Sequence, residues 1–225
     1  SGLAGVARTY GYDLDGNRVA FTLGSDSYSV TFDRTDAATG TRKNGGAAVS
    51  FAWDRWGNLL TDAAAGTTAG IVTYGYDLAD RTTSITRAGT TTSLVLDALG
   101  RPRTRTTGAS VDTMTYEGAS NTVLRVANAG GSGATTDGIT DAAGTRLGTR
   151  RGSSVAWLTP DLHGSVAAGL ATNATAVTDA LRYDGYGVTL AAHAGAGSGA
   201  TAHWRYQGRL DLVPGSPDPA VSSLY

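Results

Sequence analysis

The most regular pattern in the chain is a short alternation of apolar and polar residues that ends in an acid. In its clearest copies two aromatic residues flank a glycine and an Asp follows, as in residues 10–13 and 74–77. A period of two predicts a β-strand, because successive side chains of a strand point to opposite faces of a sheet. A Gly and an Arg or Asn then precede a second, Thr-rich alternating segment. Each copy therefore predicts one β-hairpin.

The pattern recurs at an almost constant interval. Its acids at positions 13, 33, 54, 77, 97 and 117 are separated by 20, 21, 23, 20 and 20 residues. Because a single hairpin is marginal in water, six ordered copies predict an all-β repeat protein of stacked hairpins. The structural repeat residues, including two looser copies near the C-terminal end, are Tyr12, Asp13, Phe32, Asp33, Trp53, Asp54, Tyr76, Asp77, Leu96, Asp97, Tyr116, Glu117, Tyr183, Asp184 and Tyr206.

The residue types within one copy suggest how the hairpin turns. An Asp carboxylate can accept hydrogen bonds from backbone N–H groups two residues on, and Gly supplies the positive φ of a tight turn. The rings at positions 12, 32, 53, 76 and 116, with Leu96 in the fifth copy, are predicted to form a buried ladder on one face. Replacing a buried ladder ring by Ala is expected to cost about 3–5 kcal/mol.

The second part of the chain keeps its β character but changes rhythm. We predict regular repeats over 1–130 and a β region of looser spacing over 131–225, with a weak boundary near 128–136. The Gly-rich segment 194–200 predicts a surface loop, and the Pro-rich segment 213–219 interrupts regular structure.

Composition supports strands and excludes several function classes. Lys43, Glu117 and Gln207 are the single residues of their types, so side chains that cover exposed helices are nearly missing. A net charge of −1 gives no field that attracts nucleic acid or an anionic membrane. Without Cys there is no disulfide and no thiolate site, and no apolar run approaches a membrane helix. We predict no cofactor and no metal.

Two segments contain residue types that bind metals or catalyse reactions. Asp13, Asp15 and Asn17 suggest a calcium loop, but Gly16 and Gly24 stand at the wrong positions of an EF-hand, so we interpret the segment as a turn. Asp161, His163 and Ser165 are the residue types of a hydrolase triad. Neighbours in sequence do not easily reach triad geometry, and a nucleophile elbow is lacking, so this segment also predicts a turn.

Three further features have simple structural interpretations. The Gly-rich run 195–199 lacks the Lys and the helix of a phosphate loop. Arg101, Arg103 and Arg105 alternate along one strand and predict a solvated face, with a shell interior or pairing with Asp as alternatives. The aromatic ladder is interpreted as core rather than as a carbohydrate platform.

These motifs resemble the YD-repeat (Rhs) family. The matching residues are Tyr12–Asp13, Tyr76–Asp77 and Tyr183–Asp184. Residues 158–165 resemble the family's Asp-His-Leu-Gly-Ser block with the middle pair exchanged, and residues 183–187 and 206–209 resemble the two motifs that follow it.

The resemblance implies a β-sheet strip that spirals into part of a hollow shell wall. In bacterial Rhs and toxin-complex C proteins such a shell encloses a toxic effector, and in animal teneurins it serves adhesion. We expect a secreted or cell-surface structural protein, not an enzyme, whose partners are other shell segments, copies of itself or an enclosed toxin polypeptide. The alternative is an extracellular adhesive, carbohydrate-binding or filament-forming module.

The chain ends are interpreted in the light of that family. The family's closing segment carries Asp-Pro-x-Gly motifs for self-cleavage, whereas Asp218–Pro219 here is followed by Ala and Val. We therefore transfer no cleavage residue and interpret the chain as the C-terminal part of a wall. Such a piece is expected to self-associate through its open strand edges.

Overall fold

A computed structural model of the chain describes residues 7–62, 71–129, 135–172, 177, 179–187, 189–194 and 204. Every regular element in these residues is a β-strand, which confirms the predicted all-β class. The nineteen strands of the described residues are β1 (Tyr10–Tyr12), β2 (Arg18–Leu23), β3 (Asp26–Phe32), β4 (Ala38–Lys43), β5 (Val49–Ser50), β6 (Ala52–Trp53), β7 (Leu59–Asp62), β8 (Val72–Tyr76), β9 (Thr82–Arg87), β10 (Thr90–Leu96), β11 (Pro102–Thr107), β12 (Ser110–Tyr116), β13 (Val123–Ala129), β14 (Thr135–Thr140), β15 (Arg146–Arg151), β16 (Ser154–Pro160), β17 (Val166–Ala171), β18 (Asp179–Tyr183) and β19 (Thr189–Ala194).

The strands form one antiparallel meander, in which sheet order is the same as chain order. Strands β1–β5 form a five-stranded sheet and β6–β19 a fourteen-stranded sheet. The two sheets meet at Phe51, whose N–H donates to the carbonyl of Thr39 on β4 at 3.0 Å. The meander therefore continues across the division as a strip of stacked hairpins.

A β-bulge recurs in each hairpin that closes at an acidic turn. Nine of these hairpins lie in the described residues, and in each the register shifts at the last residue before the acid, as between Gly75 and Tyr76. The pairs Gly75–Ser84 and Tyr76–Thr82 leave Thr83 as the extra residue on the returning strand. Because a bulge bends and twists its strand, the strip acquires curvature at the same edge in every repeat.

The core lies on one face of the strip, in the middle of the longer strands. On β3 the buried residues are Tyr28 and Val30, while Phe32 on the same face is half-buried. Two apolar clusters result, one around Phe21, Tyr28 and Leu59 and one around Met114, Val126 and Leu158.

The predicted burial of the aromatic ladder is wrong for two of its members. Tyr12 is 51% exposed and Trp53 is 39% exposed. The ring before the acid shares the core face but stands at the end of its strand, beside the bulge and the turn, where the strip is open to solvent. The remaining positions Phe32, Tyr76, Leu96 and Tyr116 are half-buried.

The predicted division near residue 130 remains a prediction. Across it, β13 pairs with β14 through Arg125–Asp137, Val126–Thr136 and Ala127–Thr135. Tyr206, the Gly-rich run 195–199 and the Pro-rich segment 213–219 lie outside the described residues.

The glycines three residues after the acid allow a direct test of the turn. Gly57 has φ 89°, and a Cβ added there would meet nothing within 4 Å. Gly57→Ala therefore adds backbone strain alone and is expected to cost about 1–2 kcal/mol in a urea unfolding curve. Gly185 is equally open but has no positive φ, so Gly185→Ala is the control and should change stability by less than about 0.5 kcal/mol. Equal losses in both variants would contradict this account.

Candidate functional site

The acidic turn closes one hairpin in every repeat. In the fifth copy the Asp97 carboxylate accepts the N–H groups of Leu99 and Arg101, both at 2.9 Å. The Asp97 N–H also donates to the carbonyl of Arg101 at 2.8 Å. The same carboxylate bonds to the second and fourth residues on are made by Asp13, Asp33, Asp54, Asp77, Asp141 and Asp161.

These hydrogen bonds favour the ionised carboxylate. The Arg81 side chain and then its backbone N–H lower the pKa of Asp77 from 3.8 to about 2. Arg101 lowers the pKa of Asp97 in the same way, and the Thr35 hydroxyl has this effect on Asp33. A turn closed by a carboxylate acceptor is therefore weakened when the acid is protonated.

Neighbouring turns are joined through the residue four positions after the acid. Asn58 donates to its own Asp54 at 2.9 Å and to Asp80 of the next turn at 2.8 Å. Asn17 bridges Asp13 and Asp36 in the same way. Asp36 and Asp80 occupy the position that is Gly in other copies, and both have positive φ, 61° and 57°. Each of these left-handed Asp residues thus accepts a hydrogen bond from the preceding turn.

The hydroxyl or indole N–H of a ladder ring forms a second kind of hydrogen bond between repeats. The Tyr76 hydroxyl donates to the carbonyl of Leu59 at 2.9 Å, and Tyr116 donates to that of Pro102 at 2.7 Å. The Trp53 indole N–H donates to the carbonyl of Ala38 at 2.7 Å. In each case the acceptor is the residue that faces the ring position of the preceding repeat across the bulge. This geometry explains why Tyr and Trp suit a position that is only half-buried.

The first hairpin contacts the turn that follows β18. Arg8 forms an ion pair with Asp184, and both side chains are at most 5% exposed. The Tyr10 hydroxyl donates to the same carboxylate at 2.8 Å, and the Tyr12 hydroxyl bonds that of Tyr186. The Arg18 guanidinium carbon lies 4.0 Å from the centre of the Tyr186 ring. We call these residues the seam, because they join the first acidic turn, at Asp13, to the ninth, at Asp184.

The predicted solvated arginine face is wrong at Arg105. Its side chain is 2% exposed and forms an ion pair with Asp112 on the adjacent strand. Asn128 donates to the other oxygen of that carboxylate. Arg103 is exposed, and it is the extra residue of the bulge between β10 and β11. Alternation of faces does not carry across a bulge, so a spacing of two does not place Arg103 and Arg105 alike.

The two segments with metal-binding or catalytic residue types are both turns. The Asp13 carboxylate accepts N–H groups of Asp15 and Asn17. Asp161 accepts the backbone N–H groups of His163 and Ser165, at 2.8 and 2.9 Å. This is the bonding of the other acidic turns rather than a carboxylate–imidazole–hydroxyl relay.

Sequence reasoning did not place Asp141 and Asp161 in the regular series, although it predicted a turn at Asp161. Their turns carry the same carboxylate bonds, and Gly144 and Gly164 have positive φ three residues later. Thr140 and Pro160 replace the ring before these acids, so the aromatic pattern hid them. The Asp and the Gly three residues after it would have placed both turns in the series.

Comparisons with known proteins give structural likeness only. No family model and no curated protein matches the chain. A chain of the Photorhabdus luminescens Tc holotoxin pore is 12% identical over 82% of this chain, with a TM-score of 0.46. The TcdB2–TccC3 structure without its hypervariable C-terminal region is 13% identical over 91%, also with a TM-score of 0.46, and TcdB2–TccC3 itself is 9% identical over 97%, at 0.41. This chain covers 13%, 11% and 19% of those chains respectively.

Among the residues that the structure describes, no helix is long and apolar enough to cross a membrane.

The ring-to-carbonyl bond can be tested with a conservative variant. Tyr76→Phe removes the hydroxyl that reaches Leu59 and keeps the ring, so it is expected to lower the free energy of unfolding by about 1 kcal/mol. Urea unfolding measures the loss. Leu78→Ala, at a side chain fully open to solvent, is the control and should stay within about 0.5 kcal/mol. Indistinguishable midpoints for Tyr76→Phe and the parent chain would contradict a stabilising bond.

The acidic turns predict acid sensitivity. The folded pKa of Asp77, about 2, lies below its unfolded value near 3.8. The stability that it contributes is therefore present above about pH 4 and is lost as the pH falls through the folded pKa. Thermal unfolding between pH 6 and 2 should show Tm falling below pH 4, and Asp77→Asn should reduce that fall. Carboxyl NMR showing Asp77 titrating near 3.8 would contradict the assignment.

Proposed function

We propose that the chain is a structural wall segment of a hollow YD-repeat shell that encloses and helps deliver a toxic effector. The observation that carries this proposal is the seam. A strip held by neighbouring hairpins alone would stay open, whereas contacts of Arg8, Tyr10 and Tyr12 with the turn at Asp184 and Tyr186 bring distant repeats together. Such curling is what a wall around a cavity requires.

The bulges and turns of the strip support a structural role. Bulges at one edge bend every repeat in the same sense, and the acidic turns hold the bulges. In a closed wall, strand edges that would pair with other chains are covered. The partners we propose are further segments of the same shell or copies of this chain, with an effector polypeptide inside and a secreted or cell-surface location.

One observation favours an adhesive module as the second candidate. The acidic turns carry large apolar side chains that are exposed to solvent: Leu14, Leu78 and Leu162 almost fully, and Trp56 by 64%. The acidic turns lie along one edge of the meander, and an exposed apolar edge suits a binding surface.

A test of the two candidates starts from the particle as it occurs in its source. Its mass is measured under native and then denaturing conditions. Release of a second, smaller polypeptide together with YD-repeat chains is the expected result. Particles that contain repeat chains alone, in a polymer or bound to a glycan, would overturn enclosure and favour adhesion.

Protection of the enclosed polypeptide tests the role of the seam. Asp184→Ala removes the acceptor of Arg8 and Tyr10, so an added protease should cleave the enclosed polypeptide faster than in the parent particle. Asp54→Ala is the matched control, since Asp54 accepts the same turn hydrogen bonds but lies in a turn outside the seam. Thermal unfolding of both variants separates an opened seam from an unfolded wall. Unchanged protection in a folded Asp184→Ala particle would contradict the role of the seam.

A further inference from the structure

Trp204 is buried against strands that precede it by several tens of residues in the sequence. Its side chain is 1% exposed, whereas Trp53, Trp56 and Trp157 are 39%, 64% and 45% exposed. It packs in the apolar cluster that contains Met114, Val123, Val126, Leu158 and Val166. An indole from residue 204 therefore fills space on the core face of strands β12 to β17.

A cation covers the indole. The guanidinium carbon of Arg146 lies 4.0 Å from the centre of the Trp204 ring. Burial lowers the pKa of Arg146 to about 10, and no carboxylate of the described residues pairs with it. The aromatic face is therefore the group placed to stabilise this charge.

A backbone carbonyl and a glycine position the Arg146 guanidinium. Arg146 donates to the carbonyl of Val123, which faces Tyr116 across the bulge. An added Cβ at Gly138 would lie 1.7 Å from a terminal nitrogen of Arg146, so a larger residue there would displace the guanidinium. The carbonyl of Val123 is the one that a Tyr at position 140 would reach if the chain followed the pattern of Tyr76 and Tyr116.

The site lies where two consecutive repeats lack their ring. Thr140 and Pro160 occupy the ring positions of the turns at Asp141 and Asp161. A cleft of about 980 Å³ is present beside these turns, and Tyr116, Arg146, Leu158, Pro160 and Trp204 are among its lining residues. Arg146 thus takes the hydrogen bond of a missing ring, and Trp204 supplies aromatic surface.

We propose that the apolar cluster and the Arg146 guanidinium, at the edge of this cleft, form a receptor for one indole side chain, the one that Trp204 supplies. The site recognises a planar aromatic group through an apolar floor and a cationic cover. It is independent of whether the shell encloses an effector, because each of its described parts belongs to this chain.

Indole rescue tests the receptor in the full chain. Trp204→Gly empties the site and is expected to lower Tm by about 10 °C. Added free indole should restore much of that loss in Trp204→Gly and have little effect on the parent chain. Trp56→Gly is the matched control, because Trp56 is exposed, and its Tm should change little with or without indole. Indole that leaves the Tm of Trp204→Gly unchanged, or that raises both variants equally, would overturn the receptor.

A fluorescence measurement covers the case in which Trp204→Gly does not fold. Acrylamide should leave one shielded indole component in the parent chain, and Trp204→Phe should remove it. Arg146→Met should keep the fold but red-shift and expose that component, since the cationic cover is lost. Complete quenching of the parent chain at low acrylamide would show that Trp204 is not seated and would overturn the proposal.

Discussion

The fold depends on one local interaction, the Asp carboxylate that accepts two backbone N–H groups within its own turn. Asp97 accepts the N–H groups of Leu99 and Arg101, and six further Asp turns between Asp13 and Asp161 repeat this pattern. In the turn at Glu117, the Ser120 hydroxyl accepts the N–H of Thr122 instead. Since donors and acceptor lie within five consecutive residues, each hairpin that ends in such a turn can close without help from distant sequence. A strip whose sheet order equals its chain order follows directly.

The bulge beside each turn determines where the ring lies and which carbonyl of the preceding repeat it can reach. It places the ring position at the strand end, where Tyr76 and Tyr116 are half-buried and their hydroxyls reach carbonyls of the preceding repeat. At the turns themselves, Asn58 and Asp80 make a second link. A Leu at position 96 fills the space of a ring but carries no donor, so that junction lacks the hydroxyl bond made by its neighbours. Adjacent repeats are thus joined by specific side-chain hydrogen bonds as well as by apolar contact.

The same locality explains what the sequence could predict. The hairpins, the turn carboxylates and the all-β class depend on short patterns and were predictable from residues such as Tyr76 and Asp77. The burial of Arg105 was not, because it requires Asp112 on the next strand and a bulge that alternation does not anticipate. The place of Asp141 and Asp161 in the regular series was not predictable from aromatic residues, because Thr140 and Pro160 stand where most copies have a ring, whereas the turn depends on the acid and the Gly. Contacts of Arg146 with Trp204, and of Arg8 with Asp184, join residues whose proximity no local pattern encodes.

Contacts between distant repeats affect the path of the strip, whereas contacts within a turn affect its stability. Contacts between adjacent hairpins favour fast, stepwise assembly and fix the stability of each junction, but they leave the path of the strip free. The seam at Asp184 and the indole site at Arg146 each join parts of the chain that the meander would leave apart. Local turns therefore stabilise the strip, and a small number of distant charged and aromatic contacts determine how it curls. A substitution in a turn should weaken the strip wherever it occurs, whereas one in the seam should change the path of the strip before it changes stability.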